Sequence, residues 1–124
     1  MNDIKKNLPI YIRIVEGAKD AILNGQFPEG SQIPSTTNIS KLYKINVATV
    51  NKAFNVLVSE GLIYKKRGIG MFVSEGATQK LIAERKAAFK DNYVKATLIE
   101  AKRLNIDIPD LQKIVEETYS EMNS

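Results

Sequence analysis

Residues 46–73 most constrain the fold of this 124-residue chain, because a helical pattern there runs directly into a hairpin pattern. The apolar residues recur at the spacing of one buried helical face, at Val47, Val50, Phe54, Leu57 and Val58. Asn46 stands before them as a helix N-cap. After Glu60-Gly61, two β-branched and aromatic runs flank the tip sequence KKRGIG, residues 65–70. The segment therefore predicts a helix followed by a β-hairpin with a basic tip.

The other face of this helix is polar and contains no acidic residue. It carries Thr49, Asn51, Lys52 and Asn55. Such a face can approach phosphates and base edges without charge repulsion, whereas an ordinary solvated face usually includes glutamates. This composition indicates a nucleic-acid-binding helix.

A shorter helix is predicted just upstream, within residues 33–43. Ser35 is its expected N-cap, and Ile39 together with Leu42 or Tyr43 is expected to point inward. Lys44 and Ile45 then form the turn between the two helices. The predicted order is helix, turn, helix and hairpin.

Two structural alternatives stay open for these patterns. Many helix pairs in small domains serve packing alone, and a basic hairpin tip can act only as a solubilising loop. Three consecutive cations beside two glycines are nevertheless unfavourable for folding unless an anion approaches them. Glycine also lets backbone N–H groups come close to a phosphate.

The ordered motifs resemble the winged helix-turn-helix of GntR-type bacterial transcription regulators over residues 8–74. The matching motifs are PIY at residues 9–11, GQFPEG at 25–30, IPS at 33–35, TV at 49–50, EGLI at 60–63 and RGIGMFV at 67–73. The resemblance implies dimeric binding to pseudo-palindromic operators. It also places the second helix of the motif in the major groove and the wing tip in or near the minor groove.

The resemblance implies particular DNA-binding residues. Ser35 and Thr36 match phosphate-contacting positions, and Gly68 and Gly70 match the wing tip. The full expected set is Ser35, Thr36, Thr37, Lys44, Asn46, Ala48, Thr49, Asn51, Lys52, Asn55, Lys66, Arg67, Gly68 and Gly70.

Two departures from the family pattern concern sequence readout. The family often has arginine where this chain has Thr37, and another near Val47, and such arginines commonly contact guanine. Direct readout is then expected from Thr37, Asn46, Ala48, Asn51, Lys52 or Asn55. These side chains favour adenine and thymine contacts, with more weight on DNA shape.

The charge distribution agrees with a DNA-binding N-terminal part. Residues 1–76 hold 10 basic and 6 acidic side chains, whereas residues 77–124 hold 8 of each. The formal net charge of +4 therefore lies entirely in the first part.

Other function classes are disfavoured by what the sequence lacks. It has no cysteine and no histidine, so zinc fingers, thiol catalysis and the commonest general base are excluded. No catalytic motif stands out, and we expect neither enzymatic activity nor a cofactor or metal. The first residues, MNDIKKNLPI, contain no long apolar stretch, and no run approaches a membrane span of about 20 residues. The protein is expected to be soluble and cytoplasmic.

The first predicted helix begins at Pro9 and ends at Gly25, a left-handed stop. Its apolar stripe consists of Tyr11, Ile14 or Val15, Ala18 and Ile22, and it is expected to belong to the core. Gly17 inside this helix is unfavourable by roughly 1 kcal/mol relative to alanine, which suggests a close helix contact there.

The C-terminal part predicts one long helix from about Thr78 to Leu104 and a last helix, capped by Asp107, over Ile108–Met122. Two helices in so short a segment cannot enclose a core, so they must pack on something. We expect them to dimerise through Ile82, Phe89, Ala96, Ile99, Leu111 and Val115. The predicted domains are a winged helix-turn-helix at residues 1–76 and a helical dimerisation region at 77–124.

This short tail resembles the YtrA-type branch of the family, which has a small helical dimerisation region in place of a metabolite-binding domain. The predicted fold class is mostly α with a small β-wing, that is, α+β. The resemblance implies a homodimeric regulator of transcription, and a repressor of a transporter or envelope-stress operon is expected. One tail looks too small for a ligand cavity of about 300 Å3. A cleft shared between subunits stays open, and no effector is assigned.

Two other function classes stay open. A non-specific architectural DNA-binding protein would use the same basic wing without reading sequence. A protein-interaction module would use residues 78–122 and keep the winged fold only as a scaffold.

Overall fold

The computed structural model describes residues 7–124. Residues 1–6 lie outside the described residues. They include Asp3, Lys5 and Lys6, which were counted in the charge of the N-terminal part. The described chain is mostly helical with one small antiparallel sheet, which confirms the predicted fold class. In chain order its elements are α1 (Ile10–Leu23), α2 (Thr36–Tyr43), α3 (Val47–Ser59), β1 (Ile63–Lys66), β2 (Gly70–Val73), α4 (Ala77–Phe89), a π-helical turn (Lys90–Val94), α5 (Lys95–Arg103) and α6 (Ile108–Met122).

The chain divides into two compact units, the first ending at Ala83 and the second beginning at Glu84. This division falls beyond Gly76, the last residue of the predicted DNA-binding domain. The reason is that Ala77 and Leu81 are fully buried in the core of the first unit. The first two turns of α4 therefore belong to that unit.

The core of the first unit is formed where α1 and α2 pack against α3 and where the hairpin continues from α3. Each helix buries an apolar stripe, because its apolar residues recur once per turn. The buried cluster comprises Val15, Ile22, Ile33, Val50, Ala53, Phe54, Leu57, Leu62, Ile63, Val73, Ala77 and Leu81. The four buried positions of α3 are Val50, Ala53, Phe54 and Leu57.

Four expected core residues are instead exposed. Val47 and Val58 lie at one margin of the α3 stripe, because the buried positions centre on Ala53 and Leu57 and leave this edge in contact with solvent. Leu42 and Tyr43 both point to solvent, since the short α2 packs on the core through Ile39.

Gly17 has no close helix contact of the kind predicted. A methyl group added at Gly17 would meet no atom within 4 Å, among the residues that the structure describes. The structure gives no packing reason for this glycine.

The helix ends follow the predicted capping. The Ser35 hydroxyl accepts from the Asn38 N–H at 3.0 Å, and the Asp107 carboxylate accepts from the Asp110 N–H at 3.0 Å. Gly25 follows α1 with a φ of +84°, as expected for a left-handed stop.

A buried lysine joins three elements of the first unit. Lys19 of α1 is only 6% exposed, and its ammonium lies 3.2 Å from the Glu60 carboxylate in the turn before β1. The Lys80 ammonium of α4 donates to the Glu60 backbone carbonyl. Glu60 therefore connects α1, the turn that leads into the wing and α4.

The wing is a two-stranded antiparallel hairpin in which Ile63 pairs with Val73 and Lys66 pairs with Gly70. A third extended segment, residues 30–33, lies along β2 on the far side from β1. Its Ile33 N–H donates to the Met71 carbonyl at 2.9 Å, and its Ser31 carbonyl accepts from the Val73 N–H at 3.0 Å. This segment fixes the base of the wing to the helix-turn-helix.

The predicted long C-terminal helix contains the π-helical turn between α4 and α5, where the Thr97 hydroxyl donates to the Tyr93 carbonyl at 2.9 Å. Within the second unit, Ala101 is the one buried residue among 84–124. Large apolar side chains there face solvent, including Phe89, Ile99, Val115, Tyr119 and Met122. A single copy of this unit therefore encloses no core. Within residues 7–124, none of the helices is both long and apolar enough to cross a bilayer.

Candidate nucleic-acid interface

Helix α3 presents a polar face opposite its buried stripe. Ala48, Asn51, Lys52 and Asn55 are all exposed, and their spacing places them on one side of the helix. No acidic residue occurs anywhere in Val47–Ser59. The face therefore offers amide, ammonium and methyl groups, which match adenine, phosphate and thymine respectively.

The Lys52 ammonium lies 4.0 Å from the centre of the Tyr11 ring, in cation–π contact. The sequence predicted Tyr11 only as a core residue of α1. Tyr11 is half-buried and does pack against the core, and its ring also contacts Lys52 on the exposed face of α3. No pattern in the sequence indicated this pair, because the two residues come together only when α1 packs on α3.

Both helices of the helix-turn-helix expose capped N-termini. The Asn46 side-chain oxygen accepts from the Ala48 N–H at 2.9 Å, so its amide NH2 is the group that can face a base or phosphate. The Ser35 hydroxyl accepts within its cap and can still donate its hydrogen. Partial positive charge at a helix N-terminus favours a nearby phosphate.

The remaining expected contacts of this region surround these caps. Thr36 and Thr37 occupy the first turn of α2, half-buried and exposed respectively. Lys44 is exposed in the turn and adopts a left-handed φ of 55°. Thr49 is half-buried in the first turn of α3, which leaves it less accessible than Asn51.

The wing tip concentrates positive charge on a short connection. Lys66 ends β1 with its ammonium 4.6 Å from the centre of the Phe72 ring, and Arg67 is exposed just after it. Gly68 has a φ of +78°, which suits glycine at this turn. Gly70 begins β2 and is half-buried. The predicted wing residues are thus brought together at one end of the hairpin.

Two supporting residues were missed by the sequence analysis. The Gln32 side chain donates to the Ile69 carbonyl at the wing tip. The Glu29 carboxylate accepts from the backbone N–H groups of Gly76 at 2.8 Å and Thr78 at 3.1 Å, at the start of α4. These hydrogen bonds, with one from the Thr78 side chain, lower the pKa of Glu29. Neither residue lies in an apolar period or a charge cluster; Glu29 is part of the GQFPEG motif, but the motif did not indicate its hydrogen bonds to the start of α4.

Residues 10–73 match the model of the bacterial regulatory proteins of the gntR family. The chain belongs to this family. GntR-family members with this helix-turn-helix are DNA-binding transcription regulators and not enzymes, as predicted.

Whole-length similarity extends beyond the family domain. The chain is 28% identical over 120 residues to the HTH-type transcriptional repressor YtrA of Bacillus subtilis, covering 97% of this chain and 92% of the repressor. This match confirms the predicted similarity to the YtrA-type branch. Several other curated regulators that match are much longer, and the chain spans 20–28% of their length.

Solved structures show the same fold. A GntR-family regulator from Bacteroides thetaiotaomicron is 33% identical with a TM-score of 0.72, covering 92% of this chain and 99% of the other. The DNA-binding domain of AraR, solved in complex with operator ORX1, is 31% identical with a TM-score of 0.52, covering 54% of this chain and 81% of that domain.

Proposed function

We propose that the chain is a transcriptional repressor that binds a pseudo-palindromic operator as a homodimer. The observation that carries this proposal is the acid-free exposed face of α3, which is followed by a basic wing held to the same unit. In the proposed complex α3 enters the major groove and the wing tip lies at the minor groove. The structure of the AraR domain in complex with an operator supports DNA binding by a related fold, and the placement in the two grooves is our proposal.

Asn51 and Asn55 are the proposed base readers of α3. Both are exposed on consecutive turns, and asparagine can bond to adenine through two hydrogen bonds. Ser35, Thr36, Lys44 and Lys52 are proposed to contact phosphates, which orient the protein without reading sequence. The operator is therefore expected to contain A·T pairs at the α3 contacts.

Homodimerisation is proposed for the second unit. Its apolar side chains face solvent in one copy, and such a surface favours association. Ile82 of the adjacent α4 turn, Phe89, Ile99 and Val115 are exposed and Leu111 is half-buried, so these expected interface residues are accessible to a partner. A two-fold axis would bury the same patch on each copy and set two recognition helices about 34 Å apart.

The expected target is a transporter or envelope-stress operon. This expectation comes from the resemblance to the YtrA-type branch, and the similarity to a YtrA repressor over nearly the whole of both chains supports only the repressor role. We propose no effector.

Competition binding tests sequence-specific recognition. Duplexes selected from a random pool by the full-length protein are labelled, and unlabelled selected and random duplexes compete for binding. We expect the selected duplex to compete at least about 1,000-fold better, because specific sites exceed non-specific DNA by about that factor or more. Equal competition would instead support an architectural protein, and absence of DNA binding would support an interaction module.

A separate experiment tests the dimer. Val115→Glu places a charge on the exposed apolar surface of α6, and Gln112→Glu places the same charge one turn away on an exposed polar position. We expect Val115→Glu to be monomeric by light scattering and to lose affinity for the inverted repeat, while Gln112→Glu stays dimeric. A dimeric Val115→Glu protein with unchanged operator affinity would contradict the proposed interface.

A further inference from the structure

The wing tip is held by a side chain from outside the hairpin. Gln32 lies in the extended segment that runs along β2, where its backbone forms a bridge to Phe72. From there its Nε2 donates to the Ile69 carbonyl at 3.0 Å. The hydrogen bond links the segment before α2 to the outermost turn of the wing.

Gly70 makes room for this side chain. A Cβ atom at Gly70 would lie 2.4 Å from Gln32 Nε2, closer than real Cβ atoms approach, so the Gln32 side chain would have to move. Gly70 also has a φ of +147°, a conformation that other residues rarely adopt. The Gln32 amide therefore occupies the space beside Gly70 that a side chain would fill, and its hydrogen bond to the Ile69 carbonyl holds the turn.

Ile69 is the residue whose backbone is held in this way. Its N–H donates to the Lys66 carbonyl at 3.0 Å, while its carbonyl accepts from Gln32. Its side chain is 65% exposed at the apex of the hairpin, between two glycines and next to Lys66 and Arg67. With both backbone polar groups bonded, the tip can enter a groove without leaving either group unpaired.

An exposed isoleucine at a basic apex suits a specific kind of surface. The walls of a DNA minor groove present deoxyribose carbons between two rows of phosphates, while its floor presents base edges. Apolar side chains, isoleucine among them, enter this groove in many minor-groove proteins. The neighbouring cations match the phosphates, and the isoleucine matches the sugars. A narrow minor groove, as in A·T-rich DNA, would surround such a side chain most closely.

We infer that Gln32 is a positioning residue that fixes the wing tip, and that Ile69 is the side chain it presents to the deoxyribose walls of the minor groove. This inference rests on the proposed DNA-binding function. Ile69 would thus add an apolar contact with DNA to the phosphate contacts proposed for Lys66 and Arg67.

The test is a double-mutant cycle on the selected operator duplex. Gln32→Leu keeps the side-chain volume but removes the donor, and Ile69→Ser removes the apolar contact at an exposed position. Gln79→Leu, on an exposed site of α4, is the matched control for the glutamine change. Full-length proteins are compared by fluorescence anisotropy and by thermal unfolding.

We expect Gln32→Leu and Ile69→Ser each to weaken binding about threefold to tenfold, the range for loss of one hydrogen bond or a small apolar contact. The double variant should bind the duplex with nearly the same affinity as the single variant that binds less tightly, because both changes remove the same contact. Gln79→Leu should bind as the parent does, and the melting temperatures should stay close together.

Footprinting separates the wing from the recognition helix. With Gln32→Leu, hydroxyl-radical protection of the minor-groove sugars should be lost, while contacts in the major groove persist. Additive losses in the cycle, or unchanged sugar protection, would overturn the inference while leaving DNA binding intact. If the parent protein itself binds no selected duplex, the proposed function fails, and the inference fails with it.

Discussion

The beginning of α4 determines where the DNA-binding unit can be cut. A chain ending at Gly76 would lack Ala77 and Leu81, which are 1% and 0% exposed. Burial of a leucine side chain contributes about 1.5–3 kcal/mol. Its loss from a packed core costs about 2–5 kcal/mol once the cavity is included. A unit of this size has a total stability of only about 4–12 kcal/mol, at about 0.05–0.15 kcal/mol per residue.

We therefore expect a fragment ending at Gly76 to be much less stable than one ending at Ala83. Urea unfolding followed by circular dichroism measures the difference. The longer fragment should unfold cooperatively, with a midpoint at least about 1 M higher, because small proteins lose about 1–3 kcal/mol per molar urea.

The point substitution Leu81→Ala in the full-length protein should reproduce most of this loss. Gln79→Ala, at an exposed position in the same helix, should leave the midpoint within experimental error. Equal midpoints for the two fragments, or equal effects of the two substitutions, would show that α4 contributes nothing to the core and would refute the reasoning.

Four further predictions concern DNA binding and pH. If about 6 phosphates are neutralised, a plot of log affinity against log salt should have a slope near −5, and a flat plot would exclude this mechanism. Arg67→Ala should weaken binding at an unchanged melting temperature; parent-like affinity would remove Arg67 from the interface. Asn51→Ala should reduce the preference for selected over random duplex, whereas equal losses on both would argue against base reading. Glu29→Gln should lower the urea midpoint at neutral pH. The lowered pKa of Glu29 means that its contribution is present above the ordinary carboxyl pKa and lost as pH falls through the lowered value, so the two proteins should converge in acid.

Local sequence signals predicted most of the fold. The caps at Ser35, Asn46 and Asp107 and the stop at Gly25 were all found in place. Capping depends on a few adjacent residues, so it can be recognised without tertiary information. The hairpin was also predicted, because its glycines and its β-branched strands are contiguous.

Contacts between distant segments could not be predicted in this way. Two such contacts join Gln32 to Ile69 and Lys19 to Glu60. The partners are far apart in sequence, and the residues around each one do not indicate the other. Leu42 shows the opposite error, because an apolar residue at helical spacing was assigned to the core although the short α2 turns it outward. Periodicity identifies a face that could be buried, but the neighbouring elements decide how wide the buried stripe becomes.

The sequence predicted which residues form the candidate interface. It did not predict the contacts that restrain their side chains. Lys52 and Asn46 were expected to face DNA, and both are exposed. The Tyr11 ring under Lys52, and the use of the Asn46 oxygen in a cap, restrict what each side chain can offer. These restrictions arise only after packing.

The junction at Glu60 affects how genetic data on this regulator would be interpreted. Its carboxylate holds the buried Lys19 and its carbonyl holds Lys80, so an allele at any of the three sites would disturb the turn between α3 and the wing. Loss of either Lys19 or Glu60 would leave the other charge without its partner in a partly buried place, and destabilisation of this kind reduces protein abundance in a cell. A screen for loss of regulation would collect such alleles together with true DNA-contact alleles. Steady-state protein levels would distinguish them, since alleles at proposed contact residues such as Arg67 should leave abundance unchanged.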